Sequence, residues 1–97
     1  MVEISKTDDF DGWLRSLKDS RARAKILIRI DRLADGNAGD VAPIGSGASE
    51  MRIHYGPGYR VYYKLVGNAA TILCAGDKST QSADIAKALE IAKELEI

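Results

Sequence analysis

The sequence predicts a single α+β domain, with helices near both ends and a run of antiparallel strands between them. Apolar residues recur at helical spacing in the first third of the chain and again near its end. Between residues 50 and 76 they follow strand patterns that are separated by glycine-rich turns. The chain has 97 residues, 45% of them hydrophobic, which suffices for one core, so we treat residues 1–97 as one domain.

The first third predicts a short strand and two helices. Val2 to Ser5 suits the strand, and Thr7 then offers a side-chain oxygen that caps a helix. The apolar face of this first helix consists of Phe10, Trp13, Leu14 and Leu17. A second helix is predicted to begin at Asp19 and Ser20 and to end at the turn Gly36-Asn37, because capping residues precede it and a glycine follows it.

The second predicted helix carries a basic stripe opposite its apolar face. The stripe consists of Arg21, Lys25, Arg29 and Arg32. From Arg15 to Arg32, seven bases outnumber two acids, although the net charge of the whole chain is zero. A neutral total argues against indiscriminate nucleic-acid binding. The local stripe fits an RNA, an acidic protein partner or plain solvation of an exposed helix face.

Residues 50 to 76 predict three consecutive antiparallel strands. Ala42 to Gly47 is predicted to be irregular, and strict alternation begins at Glu50. The turn Gly56-Pro57-Gly58 leads into a second alternating strand. Gly67-Asn68 predicts a tight hairpin, and the nearly unbroken apolar run Ala69 to Gly76 predicts a strand in the middle of the sheet. A polar segment with possible cap residues then precedes a last amphipathic helix that contains Ile85, Ala88, Leu89, Ala92 and Leu95.

Basic side chains converge on one face of this predicted sheet. Arg52 and His54 lie on its first strand, Arg60 and Lys64 on the next, and Lys78 follows the third. Outward-pointing side chains on paired strands approach within roughly 5 to 8 Å, so we expect a patch that can bind a polyanion. The alternative is that the patch only solvates the exposed face of a one-sided sheet.

This patch contains groups that a metal-independent ribonuclease requires. Such an enzyme needs positive charge around the reacting phosphate, a base for the 2′-hydroxyl and an acid for the leaving 5′-oxygen. Arginine suits the first role, because its guanidinium binds two phosphate oxygens at once. His54, with an ordinary pKa of about 6.5, suits proton transfer. It is the only histidine, so Lys78 or a tyrosine would have to assist it.

Several other classes of site are not predicted. Asp77 and Asp84 have no histidine or cysteine at metal-ligand spacing, and Gly45-Ser46-Gly47 lacks the lysine of a phosphate-binding loop. The single cysteine, Cys74, lies in an apolar run and is interpreted as a buried core residue. No cofactor is expected. The acidic amino terminus differs from a signal peptide, and no apolar run approaches the roughly 20 residues of a membrane span, so we expect a cytoplasmic protein without membrane partners.

Three strings of residues resemble one family of proteins. They are Gly58-Tyr59-Arg60-Val61-Tyr62-Tyr63, the turn Gly36 to Asp40, and Gly76-Asp77-Lys78-Ser79-Thr80-Gln81 followed by Asp84-Ile85. In this order they resemble the RelE/HigB-like toxins of type II toxin-antitoxin systems, the addiction-module killer proteins. The resemblance covers nearly the whole chain. It implies a RelE-like fold, in which two N-terminal helices pack on a mainly antiparallel sheet of about four strands, with a C-terminal helix.

The resemblance also implies a function and roles for individual residues. The implied activity is ribosome-dependent, metal-independent cleavage of mRNA that arrests translation. Arg52 and Arg60 would stabilise the phosphate and the transition state, and His54 or Lys78 would assist proton transfer. The residues expected to contact RNA are Lys64, Thr80, Gln81, Lys25 and Arg29. The implied partners are mRNA, the ribosome and a cognate antitoxin, which would be a HigA-like helix-turn-helix protein. The toxin would reach operator DNA only through this antitoxin.

Two departures from the family keep other functions open. Many ribosome-dependent relatives are strongly basic and carry a terminal tyrosine or histidine, whereas this chain is neutral and ends in Lys93-Glu94-Leu95-Glu96-Ile97. The same fold hosts ParE-like toxins, which inhibit DNA gyrase without cleaving RNA. A third alternative is an inactive relative that only binds antitoxin.

Overall fold

The computed structural model describes residues 1–97 and has an α+β fold with three α-helices and a five-stranded mixed sheet. In chain order the elements are β1 (Glu3–Lys6), α1 (Asp8–Ser16), α2 (Ser20–Ala34), β2 (Val41–Gly45), β3 (Ala48–Ile53), β4 (Tyr59–Val66), β5 (Ala69–Gly76), a 3-10 turn (Lys78–Thr80) and α3 (Gln81–Glu94). The predicted α+β class is confirmed. None of the helices is long and apolar enough to cross a membrane.

The strands lie in the order β1-β5-β4-β3-β2. β1 pairs with β5 in parallel, and all other neighbouring strands are antiparallel. The expectation of about four strands was one too few, because residues 41 to 45 form a strand rather than an irregular segment. β2 is an edge strand, and Pro43 is tolerated there because an edge strand pairs on one side only.

Both faces of the sheet are covered. On one face α1 and α2 enclose a core that includes Phe10, Ile26 and Val61, all fully buried. On the other face α3 packs against β4 and β5 over a smaller core that includes Tyr62 and Leu73. The alternative of a one-sided sheet is therefore wrong, and Glu50 on the α3 face is buried rather than solvated.

Side-chain caps position the two N-terminal helices. The Thr7 hydroxyl accepts a hydrogen bond from the Phe10 amide at 3.1 Å and donates one to the Leu73 carbonyl of β5 at 2.6 Å. The Asp19 carboxylate accepts from the amides of Arg21 and Ala22 at 3.0 and 3.2 Å. Both predicted helix starts are confirmed, and Thr7 also ties α1 to the sheet.

Adding a methyl group at Gly76 and at Gly12 is expected to change the free energy of unfolding in opposite directions. A Cβ at Gly76 would lie 1.8 Å from Asp84 Oδ2 and 2.8 Å from Thr80 Oγ1, so Gly76→Ala should cost about 1 to 3 kcal/mol in the free energy of unfolding. A Cβ at Gly12, inside α1, meets nothing closer than 4.0 Å. Gly12→Ala should therefore stabilise the protein by about 0.5 to 1 kcal/mol. Urea denaturation measures both, and equal stabilities of the two variants would contradict the packing at Gly76.

The thiol of Cys74 is expected to react only when the protein unfolds. Burial raises the pKa of this thiol to about 12, and the residue is 3% exposed. At pH 8 the folded protein therefore holds almost no thiolate, the species that attacks thiol reagents. Labelling with a chromogenic disulfide should be slow in buffer and fast in urea. Rapid labelling of the native protein would be inconsistent with this burial.

Candidate functional site

An open cleft lies where β3, β4 and β5 meet the turn between β3 and β4. It has a volume of about 430 Å³ and is lined by His54, Tyr55, Gly56, Pro57, Gly58, Arg60 and Lys78. The register explains why these residues meet, since Arg60 pairs with Arg52 on β3 and with Gly76 on β5. Three of the four residues predicted to be catalytic, His54, Arg60 and Lys78, therefore line one cleft.

Arg60 is fixed at the base of this cleft. Its side chain is 14% exposed, and its Nε lies 3.0 Å from Glu50 Oε1 in an ion pair. Its Nη1 donates a hydrogen bond to the Gly58 carbonyl at 2.7 Å. Gly58 has φ +80°, and a Cβ there would lie 3.1 Å from Arg60 Nη1 and 3.5 Å from Lys78 Cβ. A glycine at this position therefore permits both the turn and the close approach of the guanidinium.

Glu50 is a site residue to which the sequence assigned no role. Its side chain is buried, with 3% of the residue exposed, and it is the only charged residue in the core. Its carboxylate lies 3.6 Å from Arg52 Nε as well as 3.0 Å from Arg60 Nε, and it accepts a 2.5 Å hydrogen bond from Gln81 Nε2. The sequence did place Glu50 on the same face as the arginines. Had the sequence analysis placed α3 over that face, it would have predicted that Glu50 is buried and needs partners.

His54 and Arg52 share a second carboxylate, that of Asp40. His54 is mostly exposed, and its Nε2 lies 2.5 Å from Asp40 Oδ2. Arg52 Nη1 lies 3.9 Å from Asp40 Oδ1. The hydrogen bond from His54 lowers the pKa of the Asp40 carboxyl, and the nearby charge of Arg52 acts in the same direction. Asp40 is thus an anion at neutral pH, and it orients the imidazole beside the cleft.

Lys78 supplies a cation to the wall of the cleft. It follows β5 at the start of the 3-10 turn, where the Asp77 carboxylate caps the turn by accepting from the Ser79 amide at 2.8 Å. Lys78 is exposed and forms no ion pair. Its ammonium is therefore free to bind an anion that enters the cleft.

Three other predicted residues lie away from the cleft or act within the fold. Lys64 is four residues beyond Arg60 on β4, about 13 Å along the strand, and its Nζ donates to the Ile97 carbonyl at 2.7 Å. The prediction that Lys64 joins the basic patch is therefore wrong. Thr80 Oγ1 donates to Asp84 Oδ2 at 2.5 Å, and Gln81 is held by Glu50.

The basic stripe of α2 divides into a structural part and an open part. Arg29 donates to the carbonyls of Arg52, Ala38 and Asp40 at 2.5, 3.1 and 3.3 Å, so it fastens the loop before β2 to β3. Lys25 Nζ lies 5.2 Å from the centre of the Tyr55 ring. Both residues border a groove of about 260 Å³, which shares His54 and Tyr55 with the cleft. Lys25 thus lies on a surface that continues the cleft, whereas Arg29 holds that surface in place.

The cleft combines side chains that can bind an anion with one that can carry a proton. Arg60 and Lys78 supply permanent positive charge, and His54 supplies an imidazole. No group of three or more histidine, cysteine, aspartate or glutamate side chains is arranged to hold a metal ion.

Comparison with known proteins identifies a relative that shows the family of this chain. No protein-family model matches the chain. A protein of Haemophilus influenzae (strain Rd), described only as uncharacterized, is 50% identical over 95 residues. The matched region covers 97% of this chain and 96% of that protein, so the two chains belong to one family.

Proposed function

We propose that this chain, which belongs to the same family as the uncharacterized Haemophilus influenzae protein, is a RelE/HigB-like toxin of a type II toxin-antitoxin module. Its activity would be ribosome-dependent cleavage of mRNA in the cytoplasm. The observation that carries the proposal is the cleft in which Arg60 forms the base and His54 and Lys78 form the walls. The arrangement of two N-terminal helices on one face of the sheet supports a RelE-like fold.

The cleft suits cleavage of a phosphodiester by the neighbouring 2′-hydroxyl. The 2′-oxygen would attack phosphorus as its proton passes to a base, and the bond to the 5′-oxygen would break as that oxygen gains a proton. The products are a 2′,3′-cyclic phosphate and a 5′-hydroxyl. Arg60 and Lys78 lie where they would stabilise the negative charge of the pentavalent phosphate.

His54 is the proposed proton carrier, and Asp40 determines which ring nitrogen is free. An ionised carboxylate only accepts hydrogen bonds, so the 2.5 Å contact places a hydrogen on His54 Nε2. The Nδ1 of the neutral ring then keeps its lone pair and acts as the base. Arg52 lies behind this pair and adds positive charge, and Lys78 is the candidate acid for the 5′-oxygen.

The proposed antitoxin partner would bind α2. This helix exposes Ile28 by 50% and Leu27 by 37%, next to the cations Lys25 and Arg32. An amphipathic acidic segment of a HigA-like helix-turn-helix protein would match both the apolar side chains and the charge. Operator DNA would be reached only through that protein.

Purified protein with translating ribosomes tests the proposed activity. New 5′-hydroxyl ends inside translated codons are the expected result, and naked mRNA should be cut far more slowly. A DNA gyrase supercoiling assay is run in parallel with the same preparation. Intact mRNA together with inhibited supercoiling would replace the proposal with a ParE-like function, and intact mRNA without inhibition would leave an antitoxin-binding protein.

A further inference from the structure

The buried carboxylate of Glu50 suggests a role that rests on the proposed function. We propose that Glu50 is a positioning residue, which orients the guanidinium group of Arg60 toward a phosphate in the cleft and holds that of Arg52 behind it. Glu50 itself would not touch the substrate. Its role would be exerted through the arginines.

The location of Glu50 is the first argument. A buried carboxylate is costly unless partners compensate it, and Glu50 has partners from three separate elements. They are Arg52 on β3, Arg60 on β4 and Gln81 at the start of α3. The carboxylate therefore lies at the junction on which the geometry of the cleft depends.

The atoms that Glu50 contacts are the second argument. Both arginines approach it through Nε, at 3.0 and 3.6 Å, as ion pairs without hydrogen-bond geometry, and both Nε atoms are buried. Arg60 Nη1 donates to the Gly58 carbonyl. The inner edge of the Arg60 guanidinium is thus held by the protein, while the side chain still lines the cleft. An arginine that is already oriented meets the pentavalent phosphate of the transition state in the right geometry, so the benefit appears in turnover rather than in binding.

Because its carboxylate is enclosed, Glu50 can position the arginines but cannot take part in catalysis itself. Its side chain is 4% exposed, and Gln81 and the two arginines surround its oxygens. A ribose hydroxyl in the cleft would meet Arg60 before it met Glu50. Proton transfer therefore stays with groups on the cleft wall.

The Glu50→Gln variant distinguishes orientation from simple charge. If Glu50 only reduced the positive potential, its neutralisation would strengthen both RNA binding and cleavage. If it orients the arginines, turnover should fall about 100-fold, while the Kd for an oligonucleotide with a 2′-deoxy group at the cleavage site stays within about threefold. The matched control is Glu94→Gln, which removes one exposed acid from α3 and should retain wild-type turnover.

A conservative variant and a spectroscopic readout guard against misfolding. Glu50→Asp keeps the charge but withdraws the carboxylate, so it should retain the melting temperature approximately and lose turnover about tenfold. In the wild-type protein, NMR should show separate, slowly exchanging Nε–Hε signals for Arg52 and Arg60. In Glu50→Gln these signals should move to the position of exposed arginines such as Arg15.

The outcomes separate this inference from the proposed function. The NMR measurement needs no RNA cleavage, so a wild-type protein that cuts no RNA but has ordered arginine signals would overturn only the nuclease. Unchanged arginine signals in Glu50→Gln would overturn the positioning role. Full turnover in both Glu50 variants would overturn it as well.

Discussion

Replacing Arg60 with alanine is expected to reduce the proposed cleavage of mRNA on the ribosome by about 100- to 1000-fold, because the variant loses the positive charge at the base of the cleft. Arg60→Lys should also be strongly impaired, since an ammonium keeps the charge but cannot bind two phosphate oxygens in the geometry of a guanidinium. Mapping of new 5′ ends measures the effect, and growth after expression without antitoxin provides an independent readout.

The structure supplies a matched control for this experiment. Lys64 lies on the same strand as Arg60 and also carries a positive charge, but it contacts Ile97 rather than the cleft. Lys64→Ala should therefore cut mRNA at nearly the wild-type rate. The assignment of the cleft would be wrong if Arg60→Ala still cleaved efficiently, or if loss of Lys64 were as damaging as loss of Arg60.

The largest expected effect on stability is that of Phe10→Ala. Phe10 is fully buried on α1, and its ring lies 6.4 Å from the ring of Trp13, which in turn meets Tyr59 edge-on at 5.9 Å. The resulting cavity should reduce the free energy of unfolding by about 3 to 5 kcal/mol. A domain of this size has only about 5 to 15 kcal/mol to lose, so the variant should lose a large share of its stability and unfold at a clearly lower temperature.

Chemical denaturation followed by tryptophan fluorescence measures this loss, because Trp13 reports directly on the same cluster. Leu27→Ala is the control, since that side chain is exposed on α2 and its removal leaves no cavity. A Phe10→Ala protein with the midpoint of Leu27→Ala would show that α1 contributes little to the core.

The helices and central strands were predictable from the sequence because each of them buries one face. The apolar residues of that face recur at helical spacing in a helix and at every second position in a strand. The cap residues Thr7 and Asp19 marked the helix starts for the same local reason. β2 was missed because Pro43 argued against a strand and because only Val41 and Ile44 of its five residues pack against the cores, too few to give a clear alternation.

The site was predictable only in part, because strand parity gives the face of a residue but not its position along the strand. Parity correctly grouped His54 with Arg60, yet it also included Lys64, which lies about 13 Å farther along β4. Glu50, Asp40 and Arg29 make contacts between elements that are distant in the chain. Such contacts depend on how α3 and the loop before β2 pack, and no local pattern encodes them.

The pairing of β1 with β5 determines how late in its synthesis the protein can fold. Thr7 bonds to the backbone of β5 across 66 positions, and Lys78 and Gln81 follow that strand. During translation α1 and α2 therefore leave the ribosome long before β5, the strand to which Thr7 bonds. A ribosome that synthesises this protein would be exposed to an assembled cleft only after residue 81 has emerged from its exit tunnel.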